Sequence, residues 1–423
     1  MAKEVIAFCG MTHLGLNSAV AGAERGFELI CFDPDTDLID GLNKGITPVS
    51  EPDLDRLISK NIQNLMFTSD LSHLHKADVV YVAPDVSTDN NGLSDLTQIN
   101  NLLKLVEPEI REDAALVILS QVPPGFTRKI SAGTKKVYYQ VETLIFGRAI
   151  ERALYPERYI IGCSDPTETL HLSFENYLIA HECPILPMRF ESAELGKIAI
   201  NCCLVSSISV ANTLSELCEG IGADWSEIVP ALKLDRRIGQ YSYLAPGLGI
   251  SGGNLERDLA TVCNLGKQVN SHTDIVHAWI NNSVHRKKWV ADQIIDQLSH
   301  LETPIIALLG LSYKENTHSL KNAPSITTLE KIRNMRVQAF DPVVKMIQGS
   351  YPLLTHSETA LKAVCNADAV AIMTPWSEFS NLTLSEVLSA MNGNLVIDPW
   401  GVMREEAKTN KEVNYKTLGS DLM

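Results

Sequence analysis

Residues 5–33 read V-I-A-F-C-G-M-T-H-L-G-L-N-S-A-V-A-G-A-E-R-G-F-E-L-I-C-F-D. A short apolar run, residues 5–9, closes on the glycine turn G-M-T-H-L-G at 10–15. A small-residue helical pattern follows through Ala23, and a second apolar run, 27–32, ends at Asp33. Strand, glycine turn, helix, strand and acid in this order predict a dinucleotide-binding unit. Glycines let a pyrophosphate approach the helix N-terminus, and a carboxylate roughly 20 residues on accepts from ribose hydroxyls. Gly10, Thr12, Leu14, Gly15 and Asp33 are therefore candidate cofactor residues. Thr12 stands where the pattern has a second glycine, and its Cβ points toward the phosphate position. A G-x-x-x-x-G turn alone also serves a plain strand-to-helix connection, so the strand context and Asp33 carry the reading.

Working outward, residues 77–83 (A-D-V-V-Y-V-A) and 115–119 read as buried strands. Residues 191–218 form a long helical pattern without proline, with apolar positions at Leu195, Ile198, Ala199, Leu204, Ile208 and Leu217. From Thr303 a second set of short apolar strands begins, at 304–311, 337–342, 367–373 and 395–398, which predicts a second α/β sheet. The expected fold is α/β, with two Rossmann-like domains joined by a long central helix. The boundaries expected are 1–185, 186–300 and 301–423, a count consistent with roughly 100–200 residues per domain in a chain of 423.

Acidic residues outnumber basic ones, 51 to 36, and no block of Lys or Arg stands out. That argues against nucleic acid or an anionic membrane surface as partner. The nine cysteines are scattered without a C-x-x-C pair, as expected of reduced, mostly buried thiols in a cytoplasmic protein. No signal peptide is legible, and no run approaches the ~18 apolar residues of a membrane span. No His/Cys/Asp cluster has metal-ligand spacing, so no metal is expected.

Residues 245–259, A-P-G-L-G-I-S-G-G-N-L-E-R-D-L, place four glycines and a proline ahead of a polar cluster, the pattern of a loop wrapped around something polar. The loop resembles the G-x-G-x-G-G-x-C-x-x-K-D active-site segment of the UDP-glucose/GDP-mannose dehydrogenase family. Gly247, Gly249, Gly252 and Asp258 match, Arg257 stands for the lysine, and Asn254 stands for the nucleophilic cysteine. The resemblance runs along nearly the whole chain, from Val5 to about Asp398. Residues 42–54 (L-N-K-G-I-T-P-V-S-E-P-D-L) follow the family closely, and 91–96 (N-G-L-S-D-L) fit its D-G-x-x-D-L. Residues 120–127 lie beside S-T-V-P-x-G-T with Gln121 for the threonine. Residues 140–147 lie on N-P-E-F-L-x-E-G, keeping Glu142 but carrying Gln140, Val141, Thr143 and Phe146 elsewhere. Residues 156–162 (P-E-R-Y-I-I-G) and 374–379 (T-P-W-S-E-F) match again, and K-I-A-I-N at 197–201 sits on K-L-x-x-N.

From this resemblance follow an NAD cofactor, a nucleotide-sugar substrate and a homodimer built through the central helix. It also implies cofactor contacts from Gln121 and Lys321, and substrate contacts from Arg237, Gly247, Gly249, Tyr313 and Lys314, with Arg237 reaching a partner subunit. At 398–401, D-P-W-G puts Trp400 where the family has a substrate-binding arginine.

Helix spacing sets Lys197 and Asn201 on one face, where the bland alternative is a solvated lysine beside a local hydrogen-bonder. With Glu142 and Asp258 they form the candidate catalytic group, Lys197 and Asp258 taking the hydroxyl proton of a primary alcohol. The family's second hydride transfer requires a thiolate adduct. Asn254 can donate a hydrogen bond but cannot attack a carbonyl. Cys202 and Cys203 are expected to be buried as small apolar groups. Three readings stay open: a single two-electron oxidation of a UDP-hexose-type sugar, a non-catalytic paralogue that binds a nucleotide sugar or a partner, and a full dehydrogenase that tolerates Asn254. The first ranks ahead of the second, and the third last.

Overall fold

The computed structural model describes residues 4–87, 89, 93–131, 136–345 and 351–420, so Asn91 and Gly92 of the N-G-L-S-D-L match lie outside the described residues. The chain forms two compact units, Met1–Ile200 and Asn201–Met423. The first unit is built on strands β1 (Val5–Cys9), β2 (Glu28–Phe32), β3 (Leu65–Thr68), β4 (Val79–Val82), β5 (Ala115–Ile118), β6 (Lys136–Gln140), β7 (Tyr159–Cys163) and β8 (Ile185–Arg189). They lie in the order β3-β2-β1-β4-β5-β6-β7-β8, parallel except where β7 runs antiparallel to β6. The first six strands reproduce the 3-2-1-4-5-6 order of a dinucleotide-binding sheet. Their continuous Val, Ile, Leu and Tyr runs are buried on both faces, as parallel strands require.

The second unit repeats this plan. Strands β9 (Ile305–Leu309), β10 (Arg336–Phe340), β11 (Leu354–His356), β12 (Ala369–Ile372), β13 (Leu395–Ile397) and β14 (Asn414–Lys416) lie in the order β11-β10-β9-β12-β13-β14, all parallel. Renumbered from its own start, this is again 3-2-1-4-5-6. In each sheet the order reverses beside the first strand, and that reversal opens a crevice at the carboxyl ends of the strands.

The long helix expected at 191–218 spans Phe190–Ile221. Phe190 and Ala193 pack into the first sheet's core, Val205 and Ala211 into the helical cores of the second unit. By length and composition it is apolar enough to cross a membrane. The expectation for its paired thiols is corrected in part: Cys203 is exposed and Cys202 half-buried. Successive helix positions differ by roughly 100°, so the two cannot share the buried face.

Near the helix end, Glu219 gathers three partners: the fully buried Arg286 at 2.9 Å, the Trp289 indole N–H at 3.0 Å and the Gly419 N–H at 2.9 Å. Removing that carboxylate leaves the buried guanidinium with only the longer Glu216 contact at 3.6 Å, a loss of up to about 3–5 kcal/mol. Glu219→Ala is expected to lower the free energy of urea unfolding by that amount, and Arg286→Met, which removes the charge with it, by less.

Candidate active site

In the first unit the glycine turn lies at the sheet's reversal point, between the ends of β1 and β4. Gly10 has φ +100, and a Cβ there would sit 2.8 Å from Pro84 N. A Cβ on Gly15 would fall 1.9 Å from the Gly10 carbonyl oxygen. Both glycines are thus required by backbone contact. The Gly10 N–H donates to Phe32 O at 2.8 Å, and the Met11 N–H donates to Asp33 Oδ2 at 2.7 Å. Asp33, 8% exposed, also accepts from the Asp35 N–H at 3.0 Å. The helix His13–Glu24 starts at this turn with Thr12 as its N-cap residue and Leu14 in its first turn.

Three residues that the sequence reading left aside complete this region. His13 Nε2 is 2.8 Å from Glu51 Oε1, both residues are buried, and the Phe146 ring stacks on the imidazole at 4.0 Å. Glu51 also accepts from the Gly147 and Ala149 N–H groups, which ties residues 146–149 to the glycine turn. Asp85, after β4, accepts from the His13 N–H at 3.1 Å. Glu194, fully buried on the long helix, accepts from the Gly125 and Thr127 N–H groups at 2.5 and 2.8 Å. Burial holds its carboxyl above the usual range. It anchors the loop that carries Gln121.

Lys197 Nζ lies 2.8 Å from Glu142 Oε1, with both side chains largely buried. Glu142 Oε2 accepts from the Leu144 N–H at 3.0 Å, which fixes the carboxylate at the exit of β6. The pair is therefore an enclosed cation and carboxylate, not a solvated helix lysine.

In the second unit Asn201 Nδ2 donates to Asp258 Oδ2 at 2.5 Å, and Arg257 Nε lies 3.3 Å from Asp258 Oδ1. Asp258 is 1% exposed and Arg257 5%. Asp258 belongs to the helix Asn254–Val269, which follows the glycine loop. Asn254 is its first residue and is exposed, after Gly253 with φ +119.

The glycines of this loop accommodate neighbours. A Cβ at Gly249 would meet Ser283 O at 2.5 Å, at Gly252 the Tyr313 ring at 2.8 Å, and at Gly253 the Lys321 side chain at 3.0 Å. The Gly252 N–H donates to Lys321 O, and the Gly247 N–H to Asn212 Oδ1. Lys314 lies over the Tyr313 ring at 5.7 Å. Tyr313, Lys314 and Lys321 are therefore drawn to the glycine loop. Trp400 packs beside Gly247 and donates its indole N–H to Met373 O at 3.0 Å.

Arg237 is not drawn in. It is exposed and held by Asp235 of its own turn, at 2.6 Å. Burial and the Asp258 charge push the Cys202 thiol pKa up to about 11.

Sequence models of the UDP-glucose/GDP-mannose dehydrogenase family match three segments: the NAD binding domain at residues 4–177, the central domain at 191–283 and the UDP binding domain at 307–405. The chain belongs to this family. It is 28% identical over 430 residues to a UDP-glucose 6-dehydrogenase of Bacillus subtilis, covering 98% of this chain and 97% of that one. It is 29% identical over 436 residues to the UDP-glucose 6-dehydrogenase of Rickettsia conorii, covering 99% and 100%.

The fold matches a UDP-glucose dehydrogenase from Pyrobaculum islandicum with a TM-score of 0.85 at 23% identity, over 99% of this chain and 98% of that one. A UDP-D-ManNAc dehydrogenase from Pyrococcus horikoshii gives 0.84 at 21%, over 99% and 100%. The family's NAD binding domain is thus present here, and the Gly10–Gly15 contact, the helix N–H groups and Asp33 fit a dinucleotide. Gly15→Ala is expected to abolish NAD binding in a calorimetric titration, because its Cβ cannot clear the Gly10 carbonyl. Unchanged affinity would mean that the turn is not the cofactor seat.

Proposed function

We propose that this chain oxidises a nucleotide sugar of the UDP-hexose type with NAD and stops after one two-electron step. The 1–185 segment would hold NAD through Gly10, Thr12, Leu14, Gly15, Asp33 and Gln121, with Lys321 contributing from the 301–423 segment. That segment would bind the nucleotide sugar through Tyr313 and Lys314, and the 186–300 segment would supply Gly247 and Gly249, with Arg237 reaching the substrate pocket of a partner subunit. NAD bound at this turn would supply the hydride acceptor for the alcohol carbon. The alcohol proton passes to the Lys197–Glu142 pair, whose 2.8 Å separation lets one side chain relay it to the other. Asp258 is held by Asn201 and Arg257 on the helix that Asn254 begins, and the Asn254 amide would donate a hydrogen bond to the sugar oxygen.

The observation that carries the single step is the absence of a usable thiolate. Asn254 occupies the first position of the helix after the glycine loop, and the neighbouring Cys202 is protonated at neutral pH. Without a sulfur adduct, the tetrahedral form from which a second hydride could leave is the hydrate that water makes of the aldehyde, which no thiolate of the chain assembles, and the second step is slow.

Homodimer formation is part of the same proposal. On the long helix Val210, Leu214, Leu217 and Ile221 are exposed at intervals of four, three and four residues, a stripe along one face. The second reading, a binding paralogue, is favoured by the changes at Thr12, Gln121, Phe146, Asn254 and Trp400.

With a panel of UDP- and GDP-hexoses, the purified protein is expected to release one NADH per sugar. Two per sugar would contradict the single step, and none with measurable sugar-nucleotide binding would establish the binding paralogue. Asn254→Cys is expected to raise the yield toward two. Lys197→Met is expected to slow NADH formation by about 10²–10⁴-fold while leaving NAD affinity unchanged, as read by stopped-flow absorbance and calorimetry.

A further inference from the structure

We infer that Asp85 sets how tightly this chain holds its dinucleotide: the carboxylate sits on the N–H groups that a pyrophosphate would use and must swing away before the cofactor can seat. This rests on the NAD reading of the glycine turn.

The helix His13–Glu24 begins without a cap of its own. Thr12 makes no side-chain cap bond to it, and its first turn holds no acidic residue. Its leading N–H groups therefore need partners from elsewhere. Asp85 supplies one: Oδ2 accepts from the His13 N–H at 3.1 Å, and the carboxylate also accepts from the Leu14 N–H.

The Thr12 hydroxyl holds Asp85 in place. The Asp85 N–H donates to Thr12 Oγ1 at 3.0 Å, and that hydroxyl donates to Ala83 O at 3.4 Å. Thr12, where the dinucleotide pattern has glycine, thus fastens the segment that carries Asp85. The altered turn residue and the acid opposite it act as a pair.

The same partial positive charge at the helix N-terminus attracts a carboxylate and a pyrophosphate. Both cannot occupy it, and side by side they repel. The His13 imidazole at this turn is itself engaged by Glu51 at 2.8 Å. Asp85 is exposed, so its side chain has an open path toward solvent. Binding then includes the displacement of a competing intramolecular anion, and the observed affinity falls by the fraction of molecules in which the seat is free.

The test is calorimetric titration of the full-length protein and of Asp85→Asn with NAD, ADP and adenosine. Asp85→Asn is expected to bind NAD and ADP about tenfold tighter and adenosine, which has no phosphate, equally. Thr12→Gly removes the fastening while keeping the carboxylate, and is expected to shift NAD affinity in the same direction. Equal NAD affinity in wild type and Asp85→Asn, an equal gain for adenosine, or weaker NAD binding by Thr12→Gly would overturn the inference and leave the cofactor reading standing. No NAD binding by any of the three proteins would overturn both.

Discussion

Each sheet turns on a carboxylate at the end of its second strand that binds the backbone leaving its first. Asp33 accepts from the Met11 N–H, while Gly10 donates to Phe32 O. In the second unit Asp341 accepts from the Leu311 and Ser312 N–H groups, while Gly310 donates to Phe340 O. Burial pushes the Asp341 carboxyl up, but its backbone donors outweigh this and leave it below the usual carboxylate value. A second shared pair closes the other end: the Val5 N–H donates to Asp78 and the Ile305 N–H to Asp368. With strand ends pinned this way, the crevice at each reversal point has a fixed floor. Cofactor-facing and substrate-facing segments then differ by loop residues laid on one repeated frame.

The loops divide the chemistry among few side chains. The long helix presents Lys197 and Asn201 four residues apart, the first held by Glu142 and the second by Asp258. Both pairs are enclosed, so each charged or polar group has a partner that satisfies it, as buried groups require. The helix after the glycine loop begins with the amide side chain of Asn254. Enclosure of these groups is compatible with proton removal.

Much of this was legible in the sequence because it rests on local patterns. Residues 5–33 announced the first sheet, since an unbroken apolar run closed by glycine has few readings, and the strands near 304, 337, 367 and 395 announced the second. Strands β3, β6, β7, β8, β11 and β14 do not stand out from the sequence pattern. They are short, and β8 and β11 carry exposed positions and no continuous apolar run. Glu51, Asp85 and Glu194 were missed for a different reason. Their partners lie 38, 72 and 69 residues away in the chain, and a carboxylate that receives distant N–H groups leaves no periodic trace. The spacing of Lys197 and Asn201 was visible, but their enclosure by Glu142 and Asp258 needed the fold.

The account depends on an oxidation that ends at the aldehyde level. It is tested most directly by mass spectrometry of the nucleotide sugar after prolonged incubation with excess NAD, with hydroxylamine present to trap free carbonyl. The oxime of a sugar that has lost only two hydrogens is the predicted product. A sugar carboxylate with one oxygen taken from water, formed without any trappable aldehyde, would contradict it.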